Sequence, residues 1–165
     1  MMLRTVVLTG LVLVQTVASG FKPERAVVLR PDAMPAGQRW CSRPGPALSD
    51  DWRPDADVIR DLEAAMAPVL RLALEKETAD SSRPALDIAD YYRQYFGIRA
   101  GGRRIVYVNG FHRTHVESTA RVRPELAASW KTRAVNVCDG GRLFFGVEYD
   151  PETRKVGVVH FNGAG

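Results

Sequence analysis

Lysine is scarce in this chain, and cysteine scarcer still. Of 23 basic residues only Lys22, Lys76, Lys131 and Lys155 are lysine; arginine carries the rest. Arginine favours planar contacts to carboxylate and phosphate. Here the arginines are scattered among 19 acidic residues and form no long basic run. A net charge of +4 without such a run argues against nucleic-acid binding and for an ordinary solvated surface. No apolar run reaches the roughly 20 residues that a membrane-spanning helix needs. No G-x-S-x-G stretch is present, which removes the nucleophile elbow of a serine hydrolase. Ser81, Ser82, Ser118 and Ser129 all fall in polar segments that read as loops. There are no internal repeats, and 165 residues suit one domain.

What is present begins with "MMLRTVVLTGLVLVQTVASG", a charge at Arg4, an apolar stretch from Val6 to Val14, then the small residues Ala18, Ser19 and Gly20. That is the order of a secretory signal, so residues 1–20 are expected to be removed near Gly20–Phe21 and the product to be exported, to the periplasm or beyond. With no later apolar run, no transmembrane segment is expected after signal removal.

Export bears on the only two cysteines, Cys41 and Cys138. In "VNVCDGG" Cys138 is a nucleophile, a metal ligand or half of a disulfide. A nucleophile wants a neighbouring basic group to form its thiolate, and Asp139 is the opposite. Outside the reducing cytosol two cysteines in one chain are expected to pair. A Cys41–Cys138 disulfide is therefore the favoured reading.

Residues 21–54 are proline-rich and weakly periodic, an arm with one short edge strand at Val27–Leu29. From Pro54 a helix is expected. Asp55 and Asp57 suit its positive end, and Ile59, Leu62, Met66, Val69 and Ala73 recur at spacings of three and four, with a kink or break at Pro68. From Leu86 the period becomes two. "DYYRQYFGIRA" and "RRIVYVNGF" read as strands joined at Gly101–Gly102. Residues 112–133 read as a long polar connection. "AVNVC" and "RLFFGVEY" read as a strand pair turned by "DGG". "FFGVEY" and "KVGVVHF" read as another, turned by "DPETR", and the tail "NGAG" as frayed. The expected fold is α+β: one main helix packed on a four- to five-stranded antiparallel meander over 55–163, cystatin-like or NTF2-like by analogy.

The segments "CSRPGP", "DDWRPDADVIRDLEAAM", "YYRQYFGI", "RRIVYVNGFH", "VCDGGRLFFGVEYDPETR" and the terminal "FNG" together resemble a family of small exported bacterial proteins of unassigned function. The similarity spans roughly residues 38–163. It implies an exported bacterial domain in which Cys41 and Cys138 both have counterparts. It implies no reaction and no catalytic residue.

His112 and His115 stand three apart, but no nearby acid or cysteine completes a metal shell. Only distant His160 or Glu117 would serve, so no metal or other cofactor is expected. The acids Asp139, Glu148 and Asp150 lie near turns, where turn chemistry accounts for them better than a paired-acid hydrolase does. Tyr91, Arg93 and Tyr95 alternate against Tyr92, Phe96 and Ile98. If the helix covers the second set, the first faces outward as a Tyr–Arg–Tyr stripe suited to a protein or glycan partner. Two functions follow. The favoured one is a non-enzymatic, inhibitor-like or other binding module of the cell envelope that uses Tyr91, Arg93 and Tyr95. The alternative is a small hydrolase-like enzyme near the 112–133 connection, which requires His112, Asp139 and Glu148 in one pocket.

Overall fold

The period-two stretches do form the strands, but both of their faces are covered. The computed structural model describes residues 21–35, 40–46, 50–79 and 84–163; the expected leader, and Ser81 and Ser82, lie outside the described residues. Among them seven strands make one sheet: β1 (Ala26–Leu29), β2 (Asp50–Asp51), β3 (Tyr91–Ala100), β4 (Arg103–His112), β5 (Phe144–Asp150), β6 (Lys155–Val156) and β7 (His160–Phe161). Two α-helices accompany it, α1 (Ala56–Ala79) and α2 (Arg113–Val122). The fold is α+β.

The antiparallel centre follows from the turns. Gly101 and Gly102 both take left-handed backbone (φ 57° and 78°), the pair of positive φ values that a two-residue hairpin turn demands. Register then runs from Tyr91 opposite His112 to Ala100 opposite Arg103. At the β5–β6 turn, Asp150 Oδ1 accepts from the Glu152 and Thr153 amides at 2.9 and 3.1 Å. Both β6 and β7 add to the outer edge of β5.

The sheet is mixed, not wholly antiparallel. β1 runs parallel to β3, from Ala26 opposite Arg93 to Leu29 opposite Phe96. A parallel pair needs a long crossover, and here that crossover contains α1. β2 occupies the rest of the same edge, with Asp51 opposite Ile98. The Trp52 amide donates to the Gly97 carbonyl at 3.3 Å. A Cβ on residue 97 would stand 2.0 Å from the Trp52 carbonyl oxygen, so only glycine admits the arm this close.

α1 begins after Pro54, with Asp55 as its cap: Asp55 Oδ1 accepts from the Val58 amide at 2.9 Å. Ile59, Leu62, Met66, Leu70 and Leu74 form its buried stripe. Pro68 does not break it. Pro68 and Ala64, whose carbonyl loses its partner, are both exposed, so the missing amide bond is not left in the core.

The helix lies on the face opposite to the expected one. Tyr91 and Tyr95 join Val106, Val108, Phe145, Val147 and Tyr149 beneath α1. Phe96, Ile98, Ile105 and Tyr107 instead pack under the arm, against Leu29, Met34 and Trp40. Trp130 caps Tyr92, Phe111 and Phe144 further along. Period two assigns residues to faces but cannot say which face a helix takes when both are buried.

Three further expectations are corrected. Residues 113–122 are helical, not a bare connection. His112 caps α2 through Nδ1, which accepts from the Thr114 amide, and Arg113 pairs with Glu117 one turn on at 2.9 Å. "AVNVC" forms no strand. It crosses the sheet face, held by side chains in place of a ladder: Gln94 Oε1 accepts from the Val135 amide, while Asn109 Nδ2 and Asn162 Nδ2 donate to the Val135 and Val137 carbonyls. Asn162 in the tail is accordingly buried, not frayed.

Candidate functional site

The candidate site residues read from sequence all lie among the described residues. Cys41 and Cys138 are joined in a disulfide across a separation of 97 residues. Tyr91, Arg93 and Tyr95 are only 0%, 1% and 1% exposed, so the outward stripe does not exist. His112, Asp139 and Glu148 do not converge. His112 meets Tyr91 edge-on on the α1 side. Glu148 pairs with Tyr107 on the other face, five register positions away, or about 17 Å at the usual strand rise. Asp139 is exposed on the crossing loop. Among the described residues no group of three or more His, Cys, Asp or Glu side chains could hold a metal ion.

What the structure does assemble is a buried polar cluster between α1 and β3. Glu63 sits on the buried stripe of α1 at 1% exposure. Its Oε1 is 3.1 Å from Arg93 Nε and accepts from the Tyr95 hydroxyl at 2.6 Å. Arg93 spends its other two nitrogens on backbone, donating to the Tyr91 carbonyl at 2.9 Å and the Ile88 carbonyl at 3.0 Å. Glu63 Oε2 has no hydrogen-bond partner. Burial pushes the Glu63 carboxyl above its ordinary range, opposed by the Arg93 charge and the Tyr95 hydroxyl. Burial likewise drives Tyr95 well above the ordinary tyrosine value, reinforced by Glu63, so Tyr95 stays a donor and is no base.

Beside this cluster lies a cleft of about 770 Å³ between the first half of α1 and β1, a size that suits a small molecule. Ala26, Val28, Ile59 and Ala64 are among its apolar walls; Glu63 and Tyr95 line it too, as do Arg53, Asp55 and Arg60. None of its lining residues is Ser, Thr, Cys, His or Lys. Its two carboxylates are already engaged, Asp55 as the cap of α1 and Glu63 in the ion pair with Arg93, and its tyrosine hydroxyl donates to Glu63.

On the opposite face a second buried cation performs a structural task. Arg43 donates to Asn109, Asn162 and the Tyr107 hydroxyl and lies 4.7 Å over the Trp40 ring. The arm is thereby clamped to the sheet beside the disulfide. Sequence reasoning passed over both Glu63 and Arg43. The one available signal for Glu63 was a charge at a helical spacing that falls on the apolar stripe, between Ile59 and Met66.

No protein family, curated protein or solved structure matches this chain. The resemblance to small exported bacterial proteins therefore rests on the sequence pattern alone.

His115 is half-buried against Phe111 and Phe144, at 6.0 and 5.3 Å between ring centres. Burial lowers its pKa, and it also lowers that of His112. A base depressed in the folded state contributes stability above its unfolded value of about 6.5 and loses it as pH falls through the lower folded value. His112 and His115 should therefore contribute a loss of stability as pH falls from about 7.5 to about 5.5. His115→Phe should keep the ring contacts and weaken that pH dependence. Urea midpoints of both proteins at the two pH values check this; equal slopes would show that His115 does not carry it.

Proposed function

We propose that this chain is an exported bacterial binding module, without catalytic activity, that takes a small ligand in the cleft between α1 and β1. One observation carries the reading: a cleft of ligand size lies against a buried carboxylate that keeps an unused acceptor. A buried acceptor that the protein itself leaves unpaired favours an incoming donor. The disulfide suits an oxidising compartment, and no helix among the described residues is long and apolar enough to cross a membrane. The reading moves the binding surface from the sheet face, where the expected Tyr–Arg–Tyr stripe would have met an envelope protein or glycan, to the helix edge.

Ala64 is exposed yet lines the cleft, so Ala64→Trp should fill it without touching the core. The dye 1-anilinonaphthalene-8-sulfonate should bind the oxidised protein with enhanced fluorescence. The variant should bind it at least about tenfold more weakly, with an unchanged urea midpoint. Equal binding by both proteins would place the dye elsewhere and remove the cleft as the site.

A further inference from the structure

We infer that the cleft selects an apolar molecule with a neutral hydrogen-bond donor, a hydroxyl or an amide N–H, at its buried end, and that this donor bonds Glu63 Oε2. This rests on the cleft being the binding site and names the chemistry it accepts.

A carboxylate offers about four lone-pair positions over two oxygens. One protein donor bonds Glu63, the Tyr95 hydroxyl to Oε1 at 2.6 Å; Arg93 Nε stands 3.1 Å from the same oxygen as an ion pair, without a hydrogen bond of its own. The other two Arg93 nitrogens are committed to the Tyr91 and Ile88 carbonyls and leave Oε2 unserved. Oε2 is thus an acceptor withdrawn from water with nothing to accept, an arrangement that strongly favours any donor brought to it. The residue that carries it lines the cleft.

Charge decides what kind of donor fits. The Arg93 guanidinium already balances Glu63. An ammonium would add a second positive charge beneath α1 with no counter-charge, and burying an unpaired charge is costly. The cleft lining also carries Arg53 and Arg60 against Asp55, which disfavours a cation further. A ligand carboxylate at the inner end would meet Glu63 itself. A neutral donor satisfies Oε2 without disturbing the pair. The apolar walls at Ala26, Val28, Ile59 and Ala64 call for a hydrocarbon body behind it.

A matched series separates these possibilities. The oxidised protein is titrated with 2-(2-naphthyl)ethanol, 2-ethylnaphthalene and 2-(2-naphthyl)ethylamine, read by naphthalene fluorescence anisotropy at pH 7. The alcohol should bind at least about tenfold more tightly than the hydrocarbon, the advantage expected of a hydrogen bond to a charged acceptor, and more tightly than the ammonium. Glu63→Gln, which can place an N–H where Oε2 stood, should erase the preference for the alcohol over the hydrocarbon. If that variant fails to fold, the wild-type series still decides. Equal binding of alcohol and hydrocarbon would leave the cleft as a binding site and overturn donor recognition. Tightest binding by the ammonium would overturn the neutral-donor assignment in favour of a cation. Binding of none of the three would overturn the cleft reading and this inference together.

Discussion

Replacing Arg93 by methionine should cost the fold about 3–5 kcal/mol, because it strands Glu63 as a charge under α1. The pair is among the least exposed in the molecule, with side chains 1% and 2% exposed. The substitution also takes donors from the Tyr91 and Ile88 carbonyls. The loss should depend on pH in a defined direction. Burial already raises the Glu63 pKa, and the Arg93 charge is what holds it back. Without Arg93 the folded value rises further. An acid raised in the folded state contributes stability below its unfolded value and loses it as pH climbs through the folded one. The variant should therefore lose less at pH 4.5 than at pH 7. Glu63→Leu added to Arg93→Met should recover at least half of the loss, since an apolar pair of similar volume carries no stranded charge. Urea denaturation of the two proteins at both pH values measures all of this. A single-variant loss below about 1 kcal/mol at pH 7 would show that the pair is not buried as described.

The same pair explains how far the sequence could be read. Elements with a strong local cause were legible. Gly101–Gly102 marked the β3–β4 hairpin, the Asp150 turn marked β5–β6, and Ile59, Leu62 and Met66 marked α1. Elements set by tertiary contact were not. α2 has few apolar residues, and its start is a histidine cap that only the fold positions beside Asp90 and Tyr91. Residues 134–138 have a strand's composition, yet Gln94, Asn109 and Asn162 reach them first. On the face that α1 covers, Glu63 meets Arg93. Alternation put Arg93 on one side of β3 but was silent on which side α1 would lie. The candidate site was hidden for the same reason. A cleft walled by α1 and β1 belongs to no contiguous motif, and Glu63 in "DLEAAM" looks like any helix-surface acid until its burial is known.

Removing the disulfide should lower stability by about 2–5 kcal/mol while leaving the cleft as it is. Closing a loop of this length restricts the unfolded chain by up to about 4–5 kcal/mol in the chain-entropy picture, and native bridges commonly return somewhat less. The separation of 97 residues spans α1, β3 and β4, so the constraint acts on the whole domain and not on one turn. What remains after reduction is specific. The Cys41 amide still donates to Asn136 Oδ1 at 3.2 Å, the Gly163 amide to Ser42 Oγ at 3.2 Å, and Arg43 still holds Asn109 and Asn162. These contacts keep the arm docked at low denaturant. β1 holds its own register on β3 upstream of Cys41, and the cleft lies on the α1 side, away from the clamp. Cys41→Ala/Cys138→Ala should therefore shift the urea midpoint strongly and change the 1-anilinonaphthalene-8-sulfonate affinity by less than about twofold. A midpoint shift under about 1 kcal/mol would mean that the arm's hydrogen bonds, and not the covalent link, hold this face together. Loss of dye binding together with stability would tie the cleft to the arm and contradict the separation of the two faces.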